Sequence, residues 1–141
     1  MSYTRILLHA VWATKDRKKY LIKENKNLLC NHIHEYCKTK DIHLININGF
    51  ENHLHCLISM SSGQNIATIM NLIKGESSFW ANKNLILNEK FGWQDDYFAV
   101  SVSQSHVNIV NDYINSQEEH HRKKTFQEEY DEFIKNYHFE E

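Results

Sequence analysis

Proline is absent from the 141 residues, so no stiff Pro-rich linker marks a domain boundary. Cysteine is scarce: Cys30, Cys37 and Cys56 form no C-x-x-C pair and leave an odd count, which argues against a disulfide framework and fits reduced thiols. No window approaches about eighteen uninterrupted apolar residues, and Met1-Ser2-Tyr3-Thr4-Arg5 lacks the basic, apolar and small-residue order of a secretory signal. The expectation is a cytoplasmic protein with no membrane partner. A basic excess is missing as well: the net charge is −2, so no bulk electrostatic footprint announces nucleic acid. Basic side chains cluster instead, at Lys15, Arg17, Lys18 and Lys19 and again at Arg122, Lys123 and Lys124, and such runs are most often solvated faces. With 41% apolar and 24% charged residues, the composition is that of one soluble globular domain over residues 1–141, large enough for a core without staples.

Hydrophobic periodicity supplies an element order. Ile6 to Trp12 is a continuous apolar run suited to a strand buried on both faces. Leu29, Ile33, Tyr36 and Cys37 fall at helical spacing within 22–38, and Lys38-Thr39-Lys40-Asp41 closes that helix. Cys30, His34 and Cys37 share a stripe on it, but seven residues of helix is about 10.5 Å of rise, too far for two thiolates on one tetrahedral ion, so core and surface roles are expected. Residues 42–48 read as a strand ended by Gly49, followed closely enough by the next strand to imply an antiparallel hairpin. A helix marked by Ile66, Ile69, Met70, Ile73 and Trp80, a strand over 97–103, and a helix capped by Ser105 with Val107, Val110 and Ile114 on its apolar strip complete the core. Through the fourth strand this is the split βαβ order of an α+β, ferredoxin-like (RRM-like) antiparallel sheet with helices packed on one face and the 53–60 strand central. The core spans about 1–121. An appended amphipathic helix over about 125–138 starts at the capping box Thr125-Phe126-Gln127-Glu128 and carries Phe126, Tyr130, Phe133, Ile134 and Tyr137 on one side.

Two constellations carry chemistry. In Glu51-Asn52-His53-Leu54-His55-Cys56-Leu57-Ile58-Ser59-Met60, alternation puts His53 and His55 on one face of a strand about 7 Å apart along the backbone, with Leu54, Cys56, Ile58 and Met60 on the other. Two imidazoles so placed can share a divalent metal, or can form a polar face turned to water. In Asp112-Tyr113-Ile114-Asn115-Ser116-Gln117, Tyr113 and Gln117 are i and i+4, stacked on one helix face, and His121 continues the stripe if the helix persists. An isolated pair of this kind is usually packing and solvation. Together with the histidines it offers a nucleophile, a cation site and a fixed orientation, the requirements of phosphoryl transfer to a protein hydroxyl.

In this order and spacing Asn52-His53-Leu54-His55, Lys74-Gly75, Trp93-Gln94, residues 97–103, Tyr113 to Gln117 and His120-His121 resemble the single-tyrosine HUH transposases. These are the small transposases of the insertion-sequence 200/605 group and their repeat-associated relatives, and the resemblance covers most of the chain. Glu51 departs from it, standing where relatives commonly carry proline. The resemblance implies an enzyme of single-stranded DNA strand transfer that recognises hairpin element ends. It further implies that His53, His55 and Gln117 hold Mg²⁺ or Mn²⁺, that Tyr113 is the nucleophile forming a 5′-phosphotyrosine and a free 3′-OH, and that a homodimer shares its sites by exchanging the Tyr113 helix about a hinge near Gln104. An unperturbed phenol has a pKa near 10, so a base is required; Asp112 points about 100° away on the helix, and His121 is the alternative. Tyr97, without an i+4 ligand partner, is a rival nucleophile better suited to structure or DNA contact. Lys74, Arg122, Lys123 and Lys124 are the candidate phosphate contacts, and Trp12 and Trp93 are aromatics suited to core packing or to stacking on unpaired bases. Two other classes compete: a two-histidine metal enzyme acting on a small molecule with Glu51 or Glu118 as third ligand, and a non-catalytic or domesticated nucleic-acid-binding module.

Overall fold

Alternating side chains in two central strands create a sheet with two unlike faces. The computed structural model describes residues 1–137 and 139. Its strands are β1 (Ile6–Ala13), β2 (His43–Phe50), β3 (His53–Met60) and β4 (Phe98–Val102), in the order β2-β3-β1-β4 with every neighbouring pair antiparallel. Helices α1 (Lys23–Thr39) and α2 (Ile66–Asn84) cross over between parallel strands, so the fold is the expected ferredoxin-like α+β sheet with the histidine strand in its interior. Helix α1 stops where Asp41 takes a left-handed φ of 55°, a conformation that short polar residues tolerate.

One face is a dry core. Ala10, Trp12, Leu54, Cys56 and Ile58 from the sheet meet Leu29, Ile33 and Cys37 of α1 and Ile69, Met70 and Ile73 of α2. Full burial of each large side chain stabilises the fold by about 1.5–3 kcal/mol. Between the helices, His32 approaches the Glu76 carboxylate at 2.8 Å and stacks on Trp80 at 4.2 Å. Trp12 and Trp93 are both buried, with rings 5.8 Å apart, so neither is a free stacking platform.

The opposite face is covered by α3 (Val107–Asn115), α4 (Gln117–His121) and α5 (Phe126–Asn136), so helices pack on both faces where one was expected, and the appended helix packs on its own domain. The capping box at Thr125 and Glu128 forms as expected. Residue 138, the expected end of that helix, lies outside the described residues.

Three local expectations are corrected. Gly49 sits inside β2: a Cβ there would lie 2.1 Å from the His53 carbonyl oxygen, so glycine is required by close approach across the hairpin. Ser105 does not cap α3; a 3₁₀ turn over Gln104–His106 intervenes, and the Ser105 hydroxyl turns to Ser103. The helix bearing Tyr113 breaks at Ser116 (φ −99°, ψ 21°), whose hydroxyl donates back to the Asp112 carbonyl.

Candidate active site

The edge strand β2 positions the helix that carries Tyr113. Asn46 and Asn48 alternate with apolar residues and project toward α3. Asn46 Nδ2 donates to Asn111 and Asn115 side chains at 3.2 and 3.0 Å, and Asn48 Nδ2 donates to the Ile114 carbonyl at 2.9 Å. That carbonyl belongs to the last turn of α3, where backbone acceptors lack intrahelical donors. Ile114, fully buried, anchors the same turn, and the Tyr113 ring comes to rest 5.4 Å from the ring of His55 in the same chain.

His53, His55 and Gln117 come together, all with 0% exposure. Hydrogen bonds on the far nitrogens orient both imidazoles. His53 Nδ1 lies 2.9 Å from Asn52 Oδ1, an acceptor, so its proton sits there and Nε2 presents a lone pair. That lone pair faces Gln117 Oε1 at 3.2 Å; the amide cannot be reversed, because its Nε2 donates to the Tyr113 carbonyl at 3.1 Å. His55 Nδ1 pairs with His9 Nε2 at 2.9 Å, which turns His55 Nε2 inward, where it has no hydrogen-bond partner. Inward-facing imidazole nitrogens, each ring oriented by a hydrogen bond on its far nitrogen, beside an amide oxygen are the donor set of a divalent metal site, so the residues fit such an ion. Protons are held off these rings: burial, reinforced by His55, takes His53 well below the usual imidazole range, and the same two causes lower His9 to about 3.

Around the phenol the structure adds Glu129, which the sequence reading did not single out, to His120 and His121, which it did. Tyr113 donates to Glu129 Oε2 at 2.5 Å and lies 3.4 Å from His120 Nε2, while His120 and His121 approach the same carboxylate oxygen at 2.9 and 3.4 Å. Burial, then the Glu129 charge, pushes the Tyr113 hydroxyl well above the ordinary phenol range. Burial alone would raise Glu129, but its contacts with His121, His55 and His53 outweigh it and hold the carboxyl well below the usual carboxylate range. Burial also lowers His120. The signal for Glu129 was available: it falls three residues after Phe126 and four before Phe133, an acid on the apolar stripe of α5, and a buried acid demands partners. His9 is likewise an imidazole within an otherwise apolar buried strand. Phe126 stacks on His53 at 4.2 Å and seals the histidine pair, whereas a cleft of about 280 Å³ bounded by His9, Val110, Tyr113, Glu129 and Phe133 opens onto the phenol.

The other candidates disperse. Lys74 donates to the Gln94 and Asp95 carbonyls at 2.7 Å each, and burial lowers its ammonium. Arg122 pairs with Glu119 at 3.0 Å and Lys124 with Glu132, while Lys123 is exposed. Glu51 and Glu118 pair with Lys19 and Lys26, each at 3.6 Å, so neither supplies the carboxylate among the histidines. Asp112 is exposed. Tyr97 lies 5.9 Å from the Lys74 ammonium and lines a groove of about 870 Å³ with Arg17, Phe98 and Tyr130. Cys30 and Cys37 are buried thiols that burial pushes up to about 12, in keeping with core roles. Among the described residues, no helix is long and apolar enough to cross a membrane.

Comparison with known proteins gives concordant results. The family described as "Transposase IS200 like" matches residues 2–117. Transposases for insertion sequence element IS200 from Salmonella typhimurium and Salmonella typhi are each 24% identical over 120 residues, covering 77% of this chain and 74% of theirs. A candidate transposase of Deinococcus radiodurans has a similar fold, with a TM-score of 0.65 at 21% identity over 82% of this chain and 93% of its own. So has a REP-associated tyrosine transposase solved bound to a REP hairpin, with a TM-score of 0.64 at 14% identity over 86% and 72%. With the family match spanning most of its length, the chain belongs to the IS200-like transposases, enzymes of DNA transposition.

Proposed function

We propose that this transposase is a metal-dependent enzyme that cleaves and rejoins single-stranded DNA through Tyr113. The observation that carries the reading is the convergence of His53, His55 and Gln117 with the Tyr113 ring, 5.4 Å from His55, on one buried face of the sheet. His53, His55 and Gln117 hold Mg²⁺ or Mn²⁺, and an ion bound there supplies positive charge to the oxygens of the scissile phosphate. Tyr113 Oη forms a bond to phosphorus as the bond to the 3′ oxygen breaks, giving a 5′-phosphotyrosine and a free 3′-OH. Attack by a 3′-OH reverses the step without ATP, because the phosphoester is conserved. The phenol proton has two acceptors in reach, Glu129 Oε2 at 2.5 Å and His120 Nε2 at 3.4 Å. Because burial, and after it the Glu129 charge, opposes ionisation of the phenol, Tyr113 is neutral in this arrangement.

The substrate in this reading is single-stranded DNA with hairpin ends, in line with the hairpin bound by one structural relative. Lys123, which is exposed, contacts phosphate together with Lys74, Arg122 and Lys124 once their present partners exchange, and the groove at Arg17, Tyr97, Phe98 and Tyr130 receives unpaired bases. A homodimer exchanging α3 belongs to the same reading. Tyr113→Phe removes one oxygen and keeps the ring, so it retains hairpin binding and loses the covalent adduct on a denaturing gel with labelled single-stranded element ends. An adduct at the wild-type level excludes Tyr113, and loss in Tyr97→Phe instead moves the role there. The same gel on exchanged mixtures of His55→Ala and Tyr113→Phe chains reads assembly: adduct returns if sites form between chains and stays absent if they form within one.

A further inference from the structure

Glu129 lies beyond residue 117, where the family match ends, yet its carboxylate is 2% exposed and sits among the ligand candidates. His121 Nδ1 donates to the Lys124 carbonyl at 2.8 Å, which turns its Nε2 toward two oxygens, Gln117 Oε1 at 3.1 Å and Glu129 Oε2 at 3.4 Å. Glu129 Oε1 stands 2.9 Å from His55 Nε2 and 3.8 Å from His53 Nε2. Neither Glu129 Oε1 nor His55 Nε2 has a hydrogen-bond partner, although both are buried. Side by side and without an aligned hydrogen bond, these two buried atoms form a pair that a cation ligated by both completes. The ligand atoms of His53, His55 and Glu129 all lie within 4.8 Å of one another, a spread that a single ion spans.

We propose that Glu129 is a further ligand of the cation held by His53 and His55, so that the ion fastens α5 across the histidine face. This rests on the metal reading above and deepens it. A carboxylate adds negative charge to a set that is otherwise neutral, two imidazoles and an amide, and favours a hard divalent ion such as Mn²⁺ or Mg²⁺. Only the Oε1 edge is committed. Oε2 remains with Tyr113, His120 and His121, so the carboxylate connects the cation site to the phenol.

The test uses Mn²⁺ alone on the full chain without DNA. Calorimetry and the electron-paramagnetic resonance signal of free Mn²⁺ measure affinity, and hydrogen exchange measures protection of residues 126–136. Glu129→Gln, nearly isosteric, is expected to weaken Mn²⁺ binding about tenfold or more. Wild-type α5 is expected to exchange more slowly with Mn²⁺ than without, and this protection is lost in Glu129→Gln and in His53→Ala. If Glu129→Gln binds Mn²⁺ as the wild type does while His53→Ala and His55→Ala lose binding, the role of Glu129 is overturned and the two-histidine site stands. If the wild type binds no Mn²⁺, both fall. Should circular dichroism show Glu129→Gln misfolded, the wild-type exchange experiment decides by itself: α5 protection indifferent to Mn²⁺ overturns the proposal.

Discussion

The two faces of the sheet bury side chains to similar depth by opposite means. Under α1 and α2, Leu54, Cys56 and Ile58 are covered by aliphatic partners whose demands are met by contact alone. Under α3, α4 and α5, the same strand buries His53 and His55 against His9, Gln117 and Glu129. There a buried polar atom needs a directional partner, and at His55 Nε2 and Glu129 Oε1 none is present. The first face supplies stability and tolerates exchange among hydrophobes of like volume. The second leaves buried polar atoms without partners, at the place where the proposed cation would sit.

If this division holds, substitutions on the two faces separate binding from stability. The largest effect is expected on the histidine face: His53→Ala or His55→Ala lowers DNA cleavage on the order of 100-fold or more, because a two-imidazole chelate does not survive loss of one arm, while Gln117→Ala loses less since water replaces a neutral amide. Mn²⁺ titrations of cleavage for the three variants check this, and unchanged metal dependence in the histidine variants defeats the assignment. Next comes Ile58→Ala on the dry face, expected to cost about 2–5 kcal/mol in urea unfolding without altering the Mn²⁺ affinity of the folded fraction. A parallel loss of metal affinity in the folded protein breaks the comparison, since it makes the faces one cooperative unit. The smallest effect concerns the frame around the site. Asn48→Ala removes a donor from the last turn of α3 and is expected to cost about 1 kcal/mol, with faster hydrogen exchange confined to residues 107–115. Exchange accelerated across the whole sheet instead means that β2 holds more than α3.

Much of the dry face was legible in the chain. A strand's side chains alternate by covalent geometry, so Leu54, Cys56 and Ile58 had to share a face, and the helical spacing of Leu29, Ile33, Ile69, Met70 and Ile73 announced their cover. The Thr125–Glu128 capping box was equally local and formed as read. Errors arose where a distant backbone intervenes. Gly49 reads as a strand terminator by composition, but in the fold it admits the His53 carbonyl across the hairpin. Ser105 has a cap's chemistry and lacks its position, because the 3₁₀ turn delays the helix. On the site face, His53, His55, Gln117 and Tyr113 were visible as periodic pairs, whereas Glu129 and His9 showed only as polar residues on apolar stripes, with their partners supplied by the fold.

By itself, then, the sequence determined the order of elements along the chain and the sharing of one face by His53 and His55, since both follow from periodicities of two and of three to four residues along a backbone of fixed geometry. Only the tertiary structure decided that α5 folds back over the histidine face and delivers Glu129 within 2.9 Å of His55 Nε2 and 2.5 Å of the Tyr113 hydroxyl. No periodicity encodes that contact. It depends on the docking of an amphipathic helix whose apolar stripe specifies which side is buried but not which surface receives it, and burying Phe126 against His53 is what carries the neighbouring carboxylate into the site.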